Sequence, residues 1–344
     1  MVNEPYFSFL TTAYRTEQYL PATIESVLAQ TRPDWEMVIV DNGNSDEMAL
    51  IIERYASRDD RIRMVRQENA GYRGGVAAAA RLAQGRFVCV LDSDDQLMPE
   101  FCERIEALLD SDGHIDAVTI DAVRFAEPEH VDLPVGYMRS IGVRMMNTQP
   151  SHRITVSDVL AGKVPYYTAA IRREAWDAVG GYDPGIDDVD ESVLIWCRLA
   201  ARYDVRMLPD RLARYRLRSD SLSRDSEQVE AFERQLKRSF VAGAEEVAAP
   251  IGRRALERTL RRLNYQHAIR RSRDALRRGN VVVARREAGA AFTQRHTARA
   301  AAILLAVTIA PGASRRIHSA KQKLTSRIEV EVGRFHGRRR PGRA

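Results

Sequence analysis

The sequence predicts an α/β fold, a mostly parallel sheet with helices on both faces, continued by a C-terminal region of basic helices. Three observations carry this expectation. Over residues 1–120, short apolar runs rich in β-branched side chains alternate with helix-patterned stretches. Two of those runs end in aspartate. Charge also changes sign along the chain: residues 251–344 hold 24 Arg and Lys against 5 Asp and Glu, whereas the first 250 hold 29 against 42. Strands that alternate with helices lie parallel, because each crossover helix returns the chain to the same edge.

The elements follow in order. Residues 6–12 are β-rich and open the sheet, and residues 21–30 (PATIESVLAQ) read as a helix. Residues 36–40 (EMVIV) are short, apolar and β-branched, the pattern of a buried parallel strand. This strand stops at Asp41 in DNGNSD, a turn-rich cluster that supplies N-cap groups for a helix over 47–57. Residues 61–66 (RIRMVR) form the third expected strand and 74–84 an Ala-rich helix. Residues 86–91 (RFVCVL) give the fourth strand, closing at Asp92. Ligands of such sheets bind outside the carboxyl ends of the strands, where Asp41 and Asp92 fall.

From residue 227 onward the pattern is helical, with Gly279-Asn280 as a stop signal and a further helix over 281–292. Leu256, Leu260, Leu263 and Ala268 recur at helical spacing with arginines between them. The apolar stretch 300–310, flanked by Arg295, Arg299, Arg315 and Arg316, fits an interfacial segment on an anionic membrane or a helix packed on the preceding domain. It is too short to span a bilayer, which takes about 20 apolar residues. Basic helices also bind nucleic acid, but no recognised module or aromatic interleaving is present, and no nucleic-acid partner is expected.

With 44% hydrophobic and 29% charged residues the chain has the profile of a soluble globular protein. Cys89, Cys102 and Cys197 are odd in number and far apart, which argues against a disulfide scaffold or structural zinc and suits a reducing cytoplasm. The first residues lack the basic and apolar regions of a signal peptide.

The segment Leu91-Asp92-Ser93-Asp94-Asp95 sets three carboxylates within four positions directly after a buried strand. Such a cluster is either a solvated turn or a site where a hard cation offsets the repulsion. Ligands that are all oxygen favour Mg²⁺ or Mn²⁺ over zinc. The order FSFLTTAYRTEQYL…EMVIVDNGNSD, QENAGYRGG and RFVCVLDSDD resembles the nucleotide-sugar domain of family 2 glycosyltransferases, of GT-A fold. The likeness covers residues 5–125 and recurs at Gly180-Gly181-Tyr182-Asp183, IWCRLA and MLPDRLARYRLRSDSLSR.

The resemblance implies roles for particular residues. Thr12 and Tyr14 match the loop that contacts the nucleotide base, although Thr12-Ala13-Tyr14-Arg15 departs from the usual Pro-Thr-Tyr-Asn. Asp41 is expected to accept hydrogen bonds from the base, or to cap the following helix. Near the diphosphate, Gly75-Val76-Ala77 replaces a family Ala-Arg-Asn, so Arg73 stands as the substitute cation and Gly74-Gly75 as a place for close backbone approach. Asp92 and Asp94 match the DXD motif, with Asp94 as metal ligand and Asp92 on the ribose or metal-bound water. A divalent cation there is the implied cofactor.

An inverting transfer needs a carboxylate that takes the acceptor proton. The family places it before the helix that reads IWCRLA here, so Glu191 is the first choice and Asp190 the second; Ser192 falls at the usual base position. The same acids also suit a helix N-terminus. Arg218 stands where many relatives carry a metal-ligating histidine; arginine cannot ligate, but suits a phosphate. Trp176 and Trp196 read as core residues, with Trp176 also near a possible acceptor groove.

These readings imply three regions: a catalytic domain over 1–225 (nucleotide-sugar half 1–125, acceptor half 126–225), a basic helical region over 226–332, and a disordered tail over 333–344. The implied function is inverting, metal-assisted transfer from a nucleotide-diphosphate sugar, a UDP-sugar first among them, to a hydroxyl of a glycan or lipid-linked acceptor. The implied setting is cell-surface polysaccharide or glycolipid assembly, in the cytoplasm or on the inner face of the membrane. A non-catalytic relative that has lost its base is the alternative. A nucleotidyltransferase ranks below both, because TTAYRTEQYL has no glycine.

Overall fold

A computed structural model describes residues 4–127, 131–140, 143, 152–165, 169–182, 191–218, 229–247 and 252–315. Strand and helix alternate from the start: β1 (Phe7–Ala13), α1 (Leu20–Leu28), β2 (Trp35–Asp41), α2 (Asp46–Ala56), β3 (Ile62–Arg66), α3 (Gly71–Ala80) and β4 (Phe87–Val90). These strands lie in the order β3-β2-β1-β4, all parallel. The chain therefore runs outward from β1 to β3 and then crosses back to β4. The crevice at the carboxyl ends of β1 and β4 is the topological switch point, where open parallel sheets bind ligands.

The sheet then becomes mixed. It continues through β5 (Gln96–Leu97), α4 (Phe101–Ser111), β6 (Ala117–Ala126), β7 (Val131–Asp132), α5 (Tyr137–Ser140), α6 (Val156–Leu160), β8 (Ala169–Arg172), α7 (Arg173–Ala178), α8 (Glu191–Arg202) and β9 (Val205–Leu217). The order beyond β4 is β8-β6-β9-β5, with β8 antiparallel to both neighbours and β6 parallel to β9. Two extra residues of β9, including Pro209, loop out of the ladder where Thr119 pairs with Met207 but Asp121 pairs with Arg211. A proline cannot donate to the ladder, so it sits at such an irregularity.

Side chains alternate across each strand and build a core on either face. Phe7, Phe9, Met37 and Ile39 pack with Leu20, Ile24, Met48, Phe101 and Ile105 of α1, α2 and α4. Leu10, Val38, Val40 and Val88 face the other way and pack with Val76, Trp176, Ile195 and Trp196 of α3, α7 and α8. Burying each such side chain contributes about 1.5–3 kcal/mol. Both tryptophans are core residues, as expected. Gly75 of α3 packs against Thr12, where a Cβ would collide with the threonine side chain, and Gly74 packs against Ala70 in the same way. Gly75 thus serves helix–sheet contact, and Gly74 the close packing of the first turn of α3 on its own N-cap.

The basic region forms α9 (Val229–Glu246), α10 (Arg253–Arg277), α11 (Val281–Gln294) and α12 (Ala298–Ile309). Phe240, Ala255 and Leu263 of α9 and α10 join the same core cluster as α8. Gly279 turns the chain at φ +79°, and the Asn280 side chain accepts the Val283 N–H to start α11, as the stop signal predicts. Buried Glu233 accepts hydrogen bonds from Arg270 (2.7 Å) and Arg271 (3.4 Å), and Arg271 also reaches Glu287 at 2.8 Å. These contacts tie α9, α10 and α11 together. His267 is buried beside them, and burial with Lys237, Arg271 and Arg270 pushes its pKa down to about 3. Glu233 is 3.5 Å from its Nδ1, which makes no hydrogen bond among the described residues.

α12 buries Ala300 and Val307 but leaves Leu305 and Ile309 exposed at 60% and 72%. Among the described residues no helix is long and apolar enough to cross a membrane. The expected boundary at 225/226 and the tail 333–344 lie outside the described residues.

Candidate active site

The acidic segment leaves β4 as a continuation of the sheet: the Leu91 N–H still donates to the Leu10 carbonyl at 3.0 Å. The chain then turns, with the Asp95 N–H on the Asp92 carbonyl. Buried Ser93 locks the turn from below, through its hydroxyl to Thr16 (2.9 Å) and its carbonyl to the Thr23 hydroxyl (3.0 Å). The polar residue between the aspartates is therefore a fastening to the β1–α1 loop and α1. It fixes where the carboxylates point.

Asp92, Asp94 and Asp95 each present an oxygen within 4.8 Å of the others. Their environments differ. Asp92 Oδ1 accepts the Tyr72 hydroxyl at 2.6 Å. Asp94 Oδ2 lies 2.9 Å from Arg218 Nη1. Asp95 is 1% exposed; its Oδ1 accepts the Arg216 N–H at 2.6 Å, and its Oδ2 has no hydrogen-bond partner among the described residues. Burial first, then Asp94 and Asp92, pushes the Asp95 pKa well up. A buried carboxylate oxygen with no donor is a group that wants a cation or a proton. Three hard oxygen donors so placed fit a divalent ion such as Mg²⁺ or Mn²⁺, which takes carboxylates and fills its remaining positions with water or phosphate.

Two arginines of the β9 end close the site. Arg216 is buried, pairs with Glu127, donates to the Asp94 carbonyl, and lies over the Phe125 and Tyr19 rings at 4.5 and 4.8 Å. Burial lowers its pKa, although a guanidinium stays charged at any working pH. Arg218 stacks over the same Tyr19 ring at 4.7 Å. The sequence assigned Arg218 to the donor phosphates or to a lost metal ligand; here it pairs with the intended metal ligand itself.

The nucleobase residues gather on the β1 and β2 side. Thr12 and Ala13 end β1 in register with Val40 and Asp41. Tyr14 is exposed at 42% and lies against Gly43, where a Cβ would meet its ring at 3.0 Å. Asp41 is buried, accepting the Ser45 N–H (3.1 Å) and Arg66 Nε (3.1 Å). The helix cap expected of this cluster belongs to Ser45, whose hydroxyl accepts the Met48 N–H. Asn42 grips the 67–71 loop through Gln67, Ala70 and the Gly71 carbonyl. That anchoring places α3 so that Arg73 stands in its first turn and Tyr72 reaches Asp92.

Sequence reasoning missed Tyr72, Tyr182 and Arg216. Tyr72 lies 6.1 Å from the Tyr182 ring and Tyr182 lies 5.3 Å from Trp176, an aromatic wall leading from Asp92 toward the acceptor half. The signal for Arg216 was the alternation Arg214, Arg216, Arg218, which on a strand shares one face. Glu191 opens α8, while Asp190 lies outside the described residues.

A curled, mixed α/β sheet of this order, with carboxylates at its switch point, is the architecture of the GT-A fold. Residues 8–172 match the profile described as Glycosyl transferase family 2. Over this stretch, just under half of its length, the chain is similar to that family. TuaG of Bacillus subtilis, named for a glycosyltransferase role in teichuronic acid biosynthesis, is 38% identical over 102 residues, 29% of this chain and 40% of TuaG. The chain spans under half the length of the curated relatives it matches. The crystal structure of S. aureus TarS 1-349 in complex with UDP-GlcNAc aligns with TM-score 0.57 at 16% identity, covering 91% of this chain and 92% of that one. The mannosyltransferase PcManGT from Pyrobaculum calidifontis, in complex with GDP-Man and Mn²⁺, aligns at 0.54 and 16%, covering 92% and 85%.

Proposed function

We propose that the chain transfers a sugar, with inversion, from a nucleotide-diphosphate sugar to a hydroxyl acceptor in cell-surface glycan, polysaccharide or glycolipid synthesis. The observation that carries this reading is the carboxylate trio at the switch point, with one buried oxygen lacking a donor and two arginines beside it. Mg²⁺ or Mn²⁺ on Asp94 and Asp92 supplies a counter-charge for the departing nucleoside diphosphate. The Mn²⁺ and GDP-Man of the mannosyltransferase and the UDP-GlcNAc of TarS support a nucleotide-sugar donor.

The chain's own residues take these parts. Tyr14 and Thr12 floor the base, and Asp41 offers its second lone pairs to the base N–H groups. Asp92, oriented by Tyr72, holds the ribose hydroxyls. Arg218 swings from Asp94 to the diphosphate, and Arg73 approaches from α3. Glu191, or Asp190 beside it, accepts the proton of the attacking hydroxyl. The outer face of α12, with Leu305 and Ile309 among basic neighbours, rests on an anionic membrane near the acceptor, and the enzyme works at the cytoplasmic face. Nucleotide release from UDP-sugars, with and without Mn²⁺, tests the reading beside Asp94→Ala. Metal-dependent release that the variant loses is expected; equal activity in the two proteins defeats the assignment.

A further inference from the structure

Away from the carboxylates, α6 and the loop after it face α10 and the end of α11 across a cleft of about 430 Å³. Lys163 projects from the catalytic side and Arg258, Arg261, Arg262 and Arg295 from the helical side, with Asp158 as the acid in the wall. Asp158 is already spent on the α6 capping box, where it accepts the Thr155 N–H and hydroxyl. Gly162, at φ +60°, lets the loop lie against the Arg262 guanidinium, a contact that a side chain would block.

The arginines of α10 divide into two sets. Toward its C-terminal end Arg270, Arg271 and Arg277 pair with Glu233, Asp274 and Glu287. Toward its N-terminal end, among the described residues, Arg258 touches a protein acceptor only at the Arg254 carbonyl, and Arg261 and Lys163 have no acid partner. Arg295 meets the Tyr265 ring. Like charges from two parts of the chain thus converge on one concave space. Such convergence costs stability unless an anion occupies the space.

We propose that this cleft binds a phosphate-bearing anion and clamps the basic helices to the catalytic domain when it does so. Several guanidiniums and an ammonium suit the tetrahedral, multiply charged oxygens of phosphate better than a single carboxylate. The phosphate comes either from a soluble species or from a phospholipid headgroup presented at the surface that carries α12.

The test uses the full chain in EDTA, so that the carboxylate trio holds no cation. Inorganic pyrophosphate is titrated calorimetrically, and vesicles of phosphatidic acid are compared with phosphatidylcholine by sedimentation. Arg258→Gln/Arg261→Gln alters two exposed side chains, and circular dichroism confirms that it folds. Arg277→Gln/Arg278→Gln removes the same charge from the far end of the helix. Binding weakened at least tenfold by the first pair and not by the second supports the cleft. Dependence in the pyrophosphate arm identifies a soluble ligand, and dependence in the vesicle arm alone identifies a headgroup. Equal loss in both pairs, or no loss in either, overturns the proposal.

Discussion

Replacing Arg218 by methionine should tighten Mn²⁺ binding and weaken nucleoside-diphosphate binding at once. Arg218 Nη1 lies 2.9 Å from Asp94 Oδ2, with the two side chains 13% and 23% exposed. At an effective dielectric of about 20 their gross attraction is roughly 6 kcal/mol. A hydrogen bond to a charged group leaves about 1.5–3 kcal/mol of that as net stabilisation. A cation that needs Asp94 has to displace this bond. Deleting it should therefore lower the Kd for Mn²⁺ roughly tenfold to a hundredfold, at 1.4 kcal/mol per decade. The same side chain, turned to the diphosphate, contributes a charge-assisted contact of like size. UDP affinity measured in EDTA should fall by about tenfold. Methionine keeps the stem over Tyr19, so the fold stays intact. Mn²⁺ is followed by electron paramagnetic resonance of the free ion, and UDP by calorimetry. Unchanged Mn²⁺ affinity would refute the competition between arginine and cation.

Three further expectations concern neighbouring groups. Tyr72→Phe removes the 2.6 Å bond to Asp92 and should raise the donor KM about two- to tenfold with an unaltered melting temperature. Gly75→Ala drives a methyl into Thr12 and should destabilise by about 1–3 kcal/mol, read as a lowered urea midpoint. His267 is neutral in both states above pH 6.5; below that the unfolded chain gains a proton that the folded chain refuses until about pH 3. Stability should fall by up to about 1.4 kcal/mol per pH unit across this window, and His267→Gln should show a shallower fall.

The nucleotide half was legible because its inner parallel strands β1, β2 and β4 are buried on both faces. EMVIV and RFVCV leave little choice but strand, and Asp41 and Asp92 mark their carboxyl ends. α3 begins at Gly71, three residues before the expected start, because the positive φ of that glycine opens it ahead of the Ala run. β9 was not read as a strand. Its arginines look like a solvated run in the sequence, but each finds an acid from a distant segment: Arg206 with Asp112, Arg211 with Asp121, Arg214 with Asp132, Arg216 with Glu127. Pairings across 80 or more residues leave no local trace, and for the same reason the bond from Arg218 to Asp94 was invisible. The DSDD motif did show its carboxylates, yet not that Asp95, the last of them, is the buried one with an oxygen to spare.

Anomalous diffraction from a crystal soaked with Mn²⁺ and UDP tests the central claim most directly. A peak bonded to the Asp94 carboxylate, with the Arg218 guanidinium moved onto the diphosphate, is the predicted result. An Asp94–Arg218 pair left intact, with Mn²⁺ absent from all three carboxylates while UDP is bound, would contradict it.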